Sequence, residues 1–178
     1  MEVAFFGRGK VADRCRKVLE SLDGISERMG ILRGIDLGIS VHWPYILGER
    51  ELKIPRMGWV NVHNSYLPWN KGAHATTWAI IDQTPHGATM HWLDEGIDTG
   101  PLLYQERVEI ADDDTADTLY QKTADAEVRV FEAGMKMILA GDDRRWPQVD
   151  AGSFHKKKDF ERLVRALTTR ACKVIREA

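Results

Sequence analysis

Asn61-Val62-His63 and, further along, Asp98 in His91-Trp92-Leu93-Asp94-Glu95-Gly96-Ile97-Asp98-Thr99-Gly100-Pro101 bring an amide, an imidazole and a carboxylate close to turn-forming residues. On an extended strand, residues two apart project from one face, so Asn61 and His63 point the same way. An amide N–H beside a base that titrates near neutrality suits acyl transfer to an amine. Moving a one-carbon acyl group between nitrogens passes through a tetrahedral oxyanion and requires a proton to leave the attacking amine. Asn61 can donate to that oxyanion, a contribution of roughly 3 kcal/mol when such a donor is deleted. His63 is the natural base or proton shuttle. Asp98 can raise and orient the imidazole, or take the proton through water.

The elements that must position these groups follow an α/β order. Val3–Phe6 is a short apolar run ending in Gly7-Arg8-Gly9, and Lys10–Leu22 reads as a helix with Val11, Cys15, Val18, Leu19 and Leu22 on one stripe. Asp23–Gly38 gives no clear element. Ile39–Leu47 reads as a second strand broken by Pro44, and Gly58–His63 as a third that enters the Asn/His motif. Ala73–Asp82 is expected to be a helix packing through Trp78, Ile80 and Ile81. Gly87–Leu93 and Leu102–Ile110 are strands on either side of the Asp-rich turn. Thr115–Ala140 is the longest expected helix, capped by Asp113 or Asp114, with Ala124, Val128, Phe131, Met135 and Ile138 inward and Gly141 as its stop. Trp146–Gly152 is a loop, and Phe160–Ile175 a last amphipathic helix.

At 178 residues with 43% hydrophobic and 29% charged residues, the chain has the length and composition of one globular domain. Residues 1–150 are expected to form its body, with 151–178 packing on it. A net charge of −2 gives no electrostatic case for nucleic acid or membrane partners. Cys15 and Cys172 lie in expected helices without metal spacing, which fits a reduced, cytoplasmic setting. The opening residues are too quickly interrupted for a signal peptide, and no apolar run approaches membrane-spanning length.

Asn61-Val62-His63-Asn64-Ser65-Tyr66-Leu67-Pro68 and Gly72 resemble the Asn-x-His-x-Ser-x-Leu-Pro…Gly signature of the 10-formyltetrahydrofolate-dependent formyltransferases. Gly87-Ala88-Thr89-Met90-His91, Asp94, Asp98-Thr99-Gly100-Pro101 and Gln105 follow in the family's order, and the similarity runs from about Ile39 to Gly141. The resemblance implies a Rossmann-like sheet with an Asn61/His63/Asp98 triad, and 10-formyltetrahydrofolate as formyl donor without a metal. It also implies a pterin slot lined by Tyr45-Ile46-Leu47 and Asp94-Glu95-Gly96-Ile97, and an acceptor side at Lys71 and His74. Relatives carry a longer stretch before the motif, so the N-terminal half is expected to be shortened, with Asp23–Gly38 as a short connector. The family's Gly-Ser-Gly-Thr/Ser-Asn loop is missing from Gly7–Ala12, and there is no room for the C-terminal barrel of methionyl-tRNA formyltransferase. By elimination the acceptor is expected to be a nucleotide-linked amino sugar, with glycinamide ribonucleotide and methionyl-tRNA as the alternatives. A shortened sheet with apolar edges would also suit a homodimer.

Other readings stay open at this point. A non-catalytic, folate-binding sensor would keep the slot, although binding alone does not require all three side chains. Gly7-Arg8-Gly9-Lys10-Val11-Ala12 matches the G-x-G-x-x-A form of a dinucleotide fingerprint, but the acidic partner is poorly placed. A tight turn for helix–sheet packing is the favoured explanation, with an acceptor phosphate preferred over NAD if an anion binds there. His63, His74, His91 and Asp98 lack metal-ligand spacing. His91 is expected to pack or hydrogen-bond, and His42 and His86 to be ordinary strand and turn residues. His155-Lys156-Lys157-Lys158 reads as a solvated positive turn, or as a contact for an anionic substrate.

Overall fold

The computed structural model describes residues 1–28 and 33–165. In chain order the elements are β1 (Glu2–Gly7), α1 (Lys10–Glu20), β2 (Ser26–Glu27), β3 (Leu37–Val41), α2 (Glu49–Leu52), β4 (Trp59–His63), β5 (Lys71–Gly72), α3 (Ala75–Asp82), β6 (Gly87–Trp92), β7 (Leu102–Arg107), α4 (Ala116–Leu139) and β8 (Phe154–His155). A final helix, α5, follows over 157–165. Six strands form one mixed sheet in the order β2-β1-β3-β4-β6-β7. The first four run parallel, and β6 and β7 are antiparallel to their neighbours. β5 and β8 pair separately. This is an α/β fold of Rossmann-like character.

Burial explains the central strands. Every residue of Leu37–Val41 and of Gly87–Trp92 is buried, as expected for strands covered on both faces. One face carries the main core, where α1 presents Val11, Cys15 and Leu19 and α4 presents Val130, Phe131, Met135 and Ile138. The opposite face is thinner: Ala4, Ile35 and Trp59 are covered by Phe6, Leu47, Leu52 and Leu93. Among the described residues no helix is long and apolar enough to cross a membrane.

Several boundaries differ from the sequence expectation. The segment 23–38 holds the edge strand β2 and the start of β3, so it is more than a connector. β3 stops at Val41 because His42 turns the chain out at φ 52° before Pro44. β7 ends at Arg107, where the Val108 N–H donates to the His86 carbonyl. α3 buries Ala75, Thr76 and Ala79, while Ile81 is 46% exposed; its small residues form the buried face. α4 is capped by Thr115, which makes a reciprocal capping box with Thr118. Asp114 supports that turn by accepting from the Ala111 N–H, the Thr118 hydroxyl and Lys122. Val128 is only half-buried, and Glu127 and Val130 take the inward positions. The last helix starts at residue 157; its expected continuation to Ile175, with Cys172, lies outside the described residues.

Candidate active site

Asn61 and His63 occupy the third and fifth positions of β4, and the antiparallel register sets Asn61 against His91 and His63 against Thr89 on β6. Asn61 Nδ2 lies 3.2 Å from His91 Nε2. His91 Nδ1 is 2.9 Å from the Trp92 carbonyl, and a carbonyl only accepts, so Nδ1 carries the hydrogen. When that ring is uncharged, its Nε2 lone pair receives one Asn61 N–H, which leaves the second N–H of the amide available. His63 Nε2 donates to the Asn70 carbonyl at 3.0 Å.

Asp98 joins this group from the turn after β6, with φ 55°. Its Oδ2 accepts the Gly72 N–H at 2.8 Å and lies 3.6 Å from His63 Nε2, while Oδ1 lies 3.5 Å from His91 Nε2. Burial pushes the Asp98 carboxyl up. The charge of His63, the approach and charge of His91, and the Gly72 N–H outweigh that and hold it well below the usual carboxylate range.

The two sequence motifs are locked together by hydrogen bonds. The Thr89 hydroxyl donates to the Ser65 carbonyl at 2.7 Å and accepts the Leu67 N–H at 3.2 Å. Gln105 Nε2 donates to the Leu67 carbonyl at 2.8 Å. Within the Asp-rich turn, Asp94 Oδ1 accepts the Gly96 N–H at 3.0 Å and the Thr99 hydroxyl at 2.6 Å.

Asn61, His63 and Asp98 line one cleft of about 580 Å³. Tyr45, Ile46 and Leu47 form one wall, and Asp94, Gly96 and Ile97 another. Three expected site residues do not line it. Glu95 is exposed beside the turn. The Lys71 ammonium donates instead to the Ala151 carbonyl at 3.0 Å, and the His74 ring stacks on Phe160 at 4.2 Å. Gly72 and Ala73 lie at the cleft in their place, joined by Phe154, His155, Lys156 and Lys157. Among the described residues no cluster of three His, Cys, Asp or Glu side chains could hold a metal ion.

Two histidines do more than the sequence suggested. His42 lines the cleft with Nε2 2.6 Å from Oε1 of Glu127, which is wholly buried in α4. Burial lowers the His42 imidazole, but the hydrogen bond and charge of Glu127 outweigh it and raise the group. His86 is buried, with Nε2 2.9 Å from the Thr123 hydroxyl. Burial, then the charge of His63, pushes it down to about 4. At Gly7 a Cβ would come 2.7 Å from the Ala12 Cβ, a close strand–helix approach that only glycine allows. Arg8 and Lys10 do not line the cleft.

Residues 29–134 match the family model described as Formyl transferase. The chain belongs to the formyl transferase family. Among its relatives, a methionyl-tRNA formyltransferase of Methylacidiphilum infernorum is 36% identical over 124 residues, covering 69% of this chain and 39% of that protein. A GDP-perosamine N-formyltransferase of Brucella melitensis is 34% identical over 125 residues, covering 69% of this chain and 48% of its own. The chain thus spans less than half the length of these curated relatives. The solved formyltransferase PseJ from Anoxybacillus kamchatkensis, in complex with UDP-4,6-dideoxy-4-formamido-L-AltNAc and tetrahydrofolate, superposes with a TM-score of 0.81 at 30% identity. That match covers 94% of this chain and 92% of PseJ. A phosphoribosylglycinamide formyltransferase from Anaplasma phagocytophilum shares the fold, with a TM-score of 0.69 at 20% identity.

Proposed function

We propose that this chain transfers the formyl group of 10-formyltetrahydrofolate to the primary amine of a nucleotide-linked amino sugar. The observation that carries the reading is the near full-length similarity to PseJ, whose complex holds tetrahydrofolate and a formamido sugar nucleotide. Further support comes from the cleft, where an amide, an imidazole and a carboxylate meet beside two loops.

In this reading the pterin lies between Tyr45–Leu47 and the turn 94–97. The acceptor amine attacks the formyl carbon, and the carbonyl oxygen gathers negative charge opposite the free N–H of Asn61. His63 takes a proton from the amine on Nδ1, because Nε2 already donates to the Asn70 carbonyl. Asp98 remains a carboxylate throughout and stabilises the imidazolium. The bond from the formyl carbon to N10 then breaks, N10 receives the proton, and a formamide and tetrahydrofolate leave. Lys156 and Lys157, on the cleft rim, suit an anionic diphosphate.

The test is incubation of the purified protein with 10-formyltetrahydrofolate and a panel of nucleotide-linked amino sugars. The expected product is an acceptor heavier by one formyl group. Folate binding without turnover on any amine would overturn the proposal in favour of a folate-binding module. Nicotinamide-cofactor binding without folate binding would point to a redox enzyme.

A further inference from the structure

We infer that residues 148–155 form a strap that sets the geometry of His63 and Asp98, with Ser153 and Gln148 as positioning residues for the formyl transfer. The inference rests on the activity proposed above and assigns it two residues beyond the family-matched span of 29–134.

The strap grips the chain after β4 between Pro68 and Ala73. The Ser153 N–H donates to the Pro68 carbonyl at 3.2 Å, and the Lys71 and Ala73 N–H groups donate to the Ser153 and His155 carbonyls, both at 2.9 Å. The Ser153 hydroxyl accepts the Asn70 N–H at 2.8 Å and donates to Asn70 Oδ1 at 3.1 Å. Asn70 is fully buried with φ 55°, a left-handed conformation that its neighbours must hold. At Gly72 a Cβ would fall 2.3 Å from the His155 carbonyl oxygen, so strap and loop touch at backbone distance.

Two groups hang between these anchors, and each meets the site. The Asn70 carbonyl receives Nε2–H of His63, and the Gly72 N–H reaches Oδ2 of Asp98. The first contact fixes the tautomer of His63, because a carbonyl cannot donate: Nε2 keeps the hydrogen and Nδ1 keeps the lone pair. Only that tautomer presents Nδ1 as a base. Without the Ser153 hydroxyl, Asn70 loses the partners of its own N–H and Oδ1 and can relax out of its left-handed φ; its carbonyl then swings away from Nε2, and the two neutral tautomers mix. Gln148 acts on the other partner. Its Nε2 donates to the carbonyls of Asp98 and Gly100, both at 2.9 Å, and so holds the positive-φ turn that aims the Asp98 carboxylate.

The experiment combines nitrogen-15 NMR of the His63 ring with steady-state kinetics, on the full chain. Wild-type protein is expected to show the Nε2–H tautomer with or without substrates, a reading independent of turnover. Ser153→Ala is expected to give mixed tautomers and to lower kcat by about 10- to 100-fold, the scale of a catalytic group displaced by about 1 Å. KM values should stay within roughly twofold, since binding contacts are untouched. Ser153→Thr, which retains the hydroxyl, should restore both readouts. Asp159→Asn weakens the bond to the Lys156 N–H at the start of α5 and should leave the tautomer unchanged. If Ser153→Ala fails to fold, Gln148→Leu carries the test, with kcat lowered and the Nε2–H tautomer retained. A wild-type Nδ1–H tautomer, or a folded Ser153→Ala with wild-type tautomer and kcat, overturns the inference. So does Asp159→Asn mixing the tautomers as strongly as Ser153→Ala, or Gln148→Leu with wild-type kcat. Inactive wild-type protein with the Nε2–H tautomer would sink the proposed function and leave the strap's geometric role standing.

Discussion

His86 ties fold stability to pH through one uncharged imidazole. The Thr123 hydroxyl donates to the Leu119 carbonyl at 2.8 Å, so it accepts from His86 Nε2–H, and Nδ1 has no partner among the described residues. A second proton would place a charge in a buried site near His63. An imidazole lowered from 6.5 to about 4 corresponds, at 1.36 kcal/mol per factor of ten in proton affinity, to about 3 kcal/mol. The folded form refuses a proton that the unfolded chain accepts. Stability from this group is therefore intact above pH 6.5 and is lost as pH falls towards about 4. His86→Leu should show a flatter profile. In urea titrations of both proteins, the stability difference should move by about 3 kcal/mol in favour of the variant between neutral pH and pH ~4. The acidic residues titrate in both proteins and cancel in that difference. Parallel wild-type and variant curves across this window would refute the argument.

Asn61→Ala should lower kcat by roughly 10²- to 10³-fold with the fold intact, which steady-state kinetics and a thermal melt would check together. His42 has the opposite sign to His86: its raised pKa gives stability fully present below the ordinary imidazole value and lost as pH rises through the folded one. His42→Gln should accordingly remove a decline in stability above neutral pH, measured by urea unfolding. Phe131→Ala, at a position with no exposure beneath the sheet, should cost about 3–5 kcal/mol in chemical denaturation.

The Asn61/His63 pair was legible because a strand has period two, and both side chains needed only a short segment to share a face. Asp98 was legible through its turn motif. His91 packs and hydrogen-bonds as expected, but its partner Asn61 depends on the β4–β6 register, which short strands without a tight hairpin leave unmarked. Asn70 contributes a carbonyl and Gly72 an N–H, groups that every residue possesses and no side-chain pattern announces. Lys71 and His74 lay close to the motif in sequence, yet the β5–β8 pairing and the Phe160 stack turn them elsewhere. The start of α4 offered three aspartates and a threonine in succession, and only backbone geometry selects Thr115 among them.

The thin side of the sheet gives the cleft-lining loop at Trp43–Leu47 a second duty. Trp43 lies 5.1 Å from Phe6 and 5.4 Å from Tyr45, and Phe6 lies 4.9 Å from Trp59, so one aromatic ladder runs from the cleft rim to the sheet. In a doubly wound protein a long helix would roof that surface; here Leu47, Leu52 and Leu93, which also line the cleft, help do it. Occupancy and foldedness consequently share a free-energy account: a compound pressing on Tyr45–Leu47 at a hundred times its Kd would raise unfolding resistance by about 2.7 kcal/mol. Without such a compound, that face has only Phe6, Leu47, Leu52 and Leu93 as its cover.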